Sequence, residues 1–284
     1  GAEMAGRVRD EEFRAYLLQA QADAQKAAID KLWVPGPGFF RAWWQERPKA
    51  PGQQDALHSD ALYGSVWAHL LGLGPLVEAS RVRRHLRAEA ERLDSPYGLM
   101  VMHNDTEPSG VWRDNIVWNM GSMDWSALAL YSGAAPPEEA LRMAEKVVHN
   151  YRSRHNDLWH WHMLNAGTGV ECAVAPGGRA DGFPWCDDYT GTELMGWALP
   201  LALTRQQWDA PAATLALTPV LMPRGPGRWA ALPWYTPFCT GTVEPVLEGG
   251  VCFRLRVLTG AVAVARLTIA GPGCAVERRA LALS

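Results

Sequence analysis

The stretch 59–73, SDALYGSVWAHLLGL, constrains this chain more than any other. Ser59 and Asp60 offer a hydrogen-bond acceptor and a negative charge at a helix start. Leu62, Val66, Leu70 and Leu73 recur at helical spacing along one face, and Leu71-Gly72-Leu73 makes a tight exit. The spacing predicts a helix capped by Ser59. The surrounding apolar run, 61–77, holds Ser65, His69, three glycines and Pro75, so it is too interrupted to span a bilayer and reads as a packed helix.

Other segments repeat the pattern. Asp10 followed by Glu11 and Glu12 opens a helix carrying Phe13, Leu17, Ala20, Ala24, Ala27 and Leu32, which the Pro/Gly run 35–38 stops. A third helix over 78–93 has Val82, Leu86 and Leu93 inward and an arginine-rich outer face. Residues 95–112 lack a period and read as a loop. A fourth helix is expected over 115–131, a fifth from Pro136-Pro137, and a sixth over 190–203, with a glycine-rich loop over 155–188. Alternating short and long connections predict antiparallel hairpins, the unit of an (α/α)6 toroid. A closed toroid needs twelve helices, so this chain supplies about three hairpins. The expected fold is mainly α, a partial (α/α)6 toroid over 1–206.

From 207 onward the texture changes. VCFRLRVL (251–258) alternates strictly, AVAVARLTI (261–269) nearly does, and Thr259-Gly260 reads as the turn between them. A small β module of four to six strands is expected over 207–284.

Composition narrows the function classes. A net charge of -3 gives no reason to expect nucleic acid or an anionic membrane as partner, and no transmembrane segment is expected. The 14 tryptophans supply core area, or flat faces that suit the C–H faces of sugars. The five cysteines form no C-x-x-C pair, which favours reduced thiols and a cytoplasmic-type compartment. No glycine-rich phosphate loop, G-x-S-x-G elbow or calcium loop occurs, and no cofactor is expected.

The 59–73 segment closely resembles the (A/S)-D-x-L-x-G-x-x-x-A-x-L-L-G-L stretch in the catalytic barrel of glycoside hydrolase family 116. That family includes non-lysosomal glucosylceramidases and related retaining β-glucosidases. The first 33 residues are similar to the family's helix pair that follows its acid/base aspartate. Val117-Trp118 match a V-W pair, although Ile116 stands where the family has glutamate. Tyr189 aligns with the tyrosine of a Y-M-R-P-L segment, whose arginine is lost near Gly191. The resemblance implies β-glucosides or glucosylceramide-like glycolipids as substrates, a glutamate nucleophile and an aspartate acid/base. Neither carboxyl matches a residue here. Both would lie upstream, in a missing N-terminal half of the barrel.

The sugar-contact candidates are therefore wall residues. Asp60 is the acid of the matching motif. The cluster GVWRDNIVWN brings together Trp112, Arg113, Asp114 and Trp118 as a stacking surface with hydroxyl-binding charge; Asp114 is equally a helix cap. In LWHWHML, Trp159 and Trp161 alternate with His160 and His162, and the two histidines lack a third metal ligand at suggestive spacing. Asp187 and Asp188 either cap the next helix or bind hydroxyls, and as neighbours they could raise one another's pKa. Two rivals stand beside this reading. One is a self-contained inverting glycosidase using carboxylates among Asp114, Asp181, Asp187 and Asp188. The other is a non-catalytic carbohydrate-binding or scaffold protein.

Overall fold

The structure is a computed structural model that describes residues 1–47, 55–103, 116–155, 164–165, 196–226, 228–247, 251–271 and 274–284. After a short α1 (Ala2–Arg7), the Asp10 carboxylate accepts the backbone N–H of Phe13 at 3.0 Å and starts α2 (Glu11–Ala27), as the sequence predicts. α2 buries none of its residues; it packs mainly on α1 and on the π-helical turn Ala28–Leu32. The Pro/Gly run then closes a minimal hairpin between β1 (Trp33–Val34) and β2 (Phe39–Phe40).

β3 (Leu57–His58) leads toward α3 (Tyr63–Leu70). Ser59 is not the cap of that helix: Leu62 holds the position, with no side-chain cap. Ser59 is instead buried against Gly121, where an added Cβ would collide with its Oγ. α4 (Ala79–Arg92) buries Val82 and Leu86, with Leu93 just beyond, in the phase expected. The stretch read as a loop contains β4 (Asp94–Ser95), β5 (Gly98–Leu99) and β6 (Met102–His103); β4 pairs with β5, and β6 with β3. Strands of two residues are too short to show a period of two.

β7 (Ile116–Val117) feeds α5 (Asn119–Ser132), followed by α6 (Pro137–Asn150) with its proline at the first turn. β8 (Leu164–Asn165) pairs with β7, and α7 (Ala198–Thr204) ends the helices. α5 is buried continuously from Gly121 to Leu130 and packs on α3, α4, α6 and α7. A helix buried on every side belongs at the centre of a layer. Trp125 there donates its indole N–H to the Leu86 carbonyl at 2.8 Å, tying α5 to α4. The consecutive α3 and α4 each pack on α5, not as the hairpin that a toroid requires.

The remaining strands are β9 (Gln207–Asp209), β10 (Thr214–Leu217), β11 (Pro223–Gly225), β12 (Arg228–Trp229), β13 (Leu232–Thr236), β14 (Cys239–Leu247), β15 (Val251–Gly260), β16 (Val262–Gly271) and β17 (Cys274–Leu283). They form a four-stranded sheet ordered β17-β16-β10-β9, with β10 and β16 parallel, a three-stranded sheet β13-β14-β15 and a two-stranded pair β11-β12. Leu215, Leu217, Leu232, Trp234, Val243 and Leu267 make a core of their own, which Leu203 of α7 joins to the helical core.

Three expectations fail here, the first being the strand count: among the described residues 207–284 hold nine strands, not four to six. The two alternating stretches are strands, but β15 pairs with β14 while β16 pairs with β10 and β17, so 259–260 is a crossing between sheets and not a hairpin turn. Gly260 sits there at φ 77 against the backbone of Phe238, where no Cβ fits. Alternation identifies a strand's faces and leaves its partner open. The fold class is also corrected: with 42% helix and 32% strand among the described residues the protein is mixed α/β, not a mainly α partial toroid. Among the described residues, no helix is long and apolar enough to cross a membrane.

Candidate functional site

Of the residues singled out from the sequence, Asp60 and Trp118 fall within the described structure. Trp112, Arg113, Asp114, Trp159, His160, His162, Asp187 and Asp188 lie outside the described residues, as do Asp181 and Trp161. Asp60 and Trp118, far apart in the chain, meet at one imidazole. β3 pairs its His58 with Met102 of β6 and so delivers the ring to the start of the 59–73 segment. His58 Nδ1 contacts the Asp60 carboxylate, and the backbone N–H of Asp60 approaches the same nitrogen at 3.4 Å. The Trp118 ring stands edge-on to His58 with centroids 6.4 Å apart. Trp118 is fixed where β7 passes into α5, its backbone N–H donating to the Leu99 carbonyl at 3.2 Å.

Behind this group lie acids that the sequence reading did not select. Glu89 on α4 and Asp124 on α5 are each 2 % exposed. Burial raises the Glu89 carboxyl well above its usual range; a charge on His58 works against that rise, and Asp60 adds to it. Burial also raises Asp124, and the charges of Glu89 and Asp60 push it further. Both are therefore held as neutral acids well above the ordinary carboxyl range. Asp124 Oδ1 and Ser59 Oγ have no hydrogen-bond partner among the described residues, each costing about 1–3 kcal/mol of desolvation.

His85, one turn before Glu89, closes the back wall. Its Nδ1 accepts the backbone N–H of Phe40 at 3.1 Å, so the neutral ring carries its proton on Nε2. That nitrogen lies 3.1 Å from Glu89 Oε1, without the alignment of a hydrogen bond. Burial lowers the His85 pKa to about 3, which keeps the ring neutral. A protonated Glu89 beside a neutral His85 is thus the consistent state, not an ion pair.

The sequence does carry a signal for these groups. Glu89 shares the helical phase of Val82, Leu86 and Leu93, so an inward acid was legible on the arginine-rich helix. Asp124 interrupts an otherwise uncharged helix in the same way.

Chemically, the site offers a partly exposed carboxylate with an imidazole, an indole face whose N–H finds no acceptor among the described residues, and two neutral acids behind them. Among the described residues, no group of three or more His, Cys, Asp or Glu is placed to hold a metal ion. No protein-family model matches the chain, and no curated protein matches it.

Proposed function

We propose that this chain is the C-terminal portion of the catalytic region of a glycoside hydrolase similar to family 116, hydrolysing β-glucosides or glucosylceramide-like glycolipids in the full-length protein. One observation carries the reading. Asp60 and Trp118 belong to two separate stretches that resemble the family, and both abut His58. Asp60 then accepts hydrogen bonds from sugar hydroxyls, and Trp118 lies along the C–H face of the ring. Glu89 and Asp124, kept neutral, spare Asp60 two further negative charges.

The nucleophile and the acid/base come from the N-terminal portion, about 5–5.5 Å apart as retention requires. The bare α2 supports a partner segment of this kind. It leaves Phe13, Tyr16 and Leu18 exposed.

The test is hydrolysis of a chromogenic β-glucoside by this chain alone and by the protein extended upstream. Turnover is expected only in the extended form, and Asp60→Ala there should raise KM about tenfold, roughly 1.4 kcal/mol. Turnover by the chain alone would overturn the reading and place the acid–base work on its own carboxylates. A second reading, a non-catalytic carbohydrate-binding protein, is favoured by the Asp60–His58–Trp118 group being assembled within this chain. It predicts sugar binding without turnover in either form.

A further inference from the structure

Arg205 sits where the helical part meets the β module. It ends α7 in the left-handed conformation, φ 45 and ψ 41, which a non-glycine residue adopts only when its surroundings hold it there. Its guanidinium turns back onto α5 and donates from Nη2 to the Leu130 carbonyl at 2.8 Å. Its Nε is fully buried and has no acceptor among the described residues. Among the described residues, no carboxylate forms an ion pair with it. A half-buried cation without a counter-ion is unfavourable, because one carbonyl replaces only part of the water that burial removes.

The Tyr131 hydroxyl, next to Leu130 in the chain, is also buried without a partner among the described residues. Its ring stacks on His69 at 4.8 Å. Burial, seconded by the charge of Arg205, lowers the His69 pKa, so this imidazole adds no second cation.

A cleft of about 520 Å³ opens beside Arg205, walled by Leu130, Pro137, Val220, Leu221 and Ala270. Arg205 is the only charged side chain lining it among the described residues. The volume lies within the usual range for small-molecule sites, and the lining is largely apolar around one cation.

We propose that this seam binds an amphiphilic monocarboxylate, its two oxygens on Arg205 and its hydrocarbon tail along the apolar walls. A planar carboxylate matches the planar, charged fork of the guanidinium. A monoanion fits better than a phosphate dianion. The α5 carbonyl end that Arg205 already faces is itself negative, and among the described residues the cleft provides no second cation. This site is independent of the sugar site on β3, α4 and α5.

The test is calorimetric titration of the full chain with octanoate, with octanol and inorganic phosphate as the tail-only and charge-only arms. Saturable octanoate binding is expected, with neither control binding. Arg205→Met should weaken it at least tenfold, and Ala270→Trp, which fills the cleft and leaves Arg205 in place, should do the same. No saturable binding, equal binding of octanol or phosphate, or octanoate affinity unchanged in both variants would overturn the proposal and leave Arg205 as a cap of α5 alone. Should Arg205→Met fail to fold, the Ala270→Trp result decides.

Discussion

The Nδ1 atom of His85 accepts the backbone N–H of Phe40 at 3.1 Å, a bond that joins α4 to β2 and decides which ring nitrogen carries the proton. With the pKa lowered to about 3 by burial, the ring stays neutral while the protein is folded. In the unfolded chain the same group titrates near 6.5. The unfolded state therefore binds one more proton between pH 6.5 and 3, and stability falls as pH drops through that window, by at most about 1.4 kcal/mol per unit. Nitrogen-15 spectra should show the Nε2–H tautomer from pH 8 to 5. A protonated His85 at pH 5 in the folded protein would contradict the assignment.

Glu89 and Asp124 act with the opposite sign. Their folded pKa values are raised, so the native state keeps protons that the unfolded chain releases above the ordinary carboxyl range. The stability they contribute is complete below that range and is lost as pH rises toward the folded values. Glu89→Gln and Asp124→Asn keep the shape and remove the titration. Each variant should therefore gain stability relative to the parent as pH rises from 5 to 8.5, read as urea midpoints. A difference independent of pH would mean that the acids are ionised and paired in the native state.

How much was legible in the sequence depended on whether a feature is local. Asp10 as a cap, the inward phase of Val82 and Leu86, and the proline opening of α6 are decided within a few residues, and they appear as read. Which neighbour β15 and β16 each pair with is not decided locally: β15 turns back to β14 and β16 goes on to β17 and the distant β10. Period-two alternation is satisfied equally by a hairpin and by two strands in different sheets, and only the core around Trp234 separates the two. The toroid failed for a related reason: amphipathic helices report a buried face, not the neighbour that buries it. At the site, Asp60 was marked by its motif, whereas Glu89 was passed over because its helix reads as charged unless each residue is phased separately.

Gly121 and Ser59 set the position of Asp60. A Cβ at Gly121 would strike both Oγ and Cβ of Ser59, which is 1 % exposed and cannot retreat into solvent. Gly121→Ala should cost about 1–3 kcal/mol by overpacking, seen as a lower Tm. Ser59→Gly in the same chain should restore much of that loss. A coupling energy near zero in the double-mutant cycle would mean that the strain is relieved by movement of α5.

Gln206 latches the helical part to the β module through a single side chain. Its Oε1 accepts the backbone N–H of Tyr235 at 2.8 Å, and its Nε2 donates to the carbonyl of the same residue. One amide thus satisfies both polar groups of a β13 residue whose own side chain points outward, while Gln206 is itself only 7 % exposed. Gln206→Leu conserves the bulk and leaves both backbone groups unpaired, at about 1–3 kcal/mol. Because α7 packs on β13, the loss should loosen the seam before either core. Hydrogen exchange at the Tyr235 amide should accelerate strongly, with little change at Val243, whose residue is fully buried within the β core. Equal acceleration at both amides would mean that the β module opens as a unit and that Gln206 is not its latch.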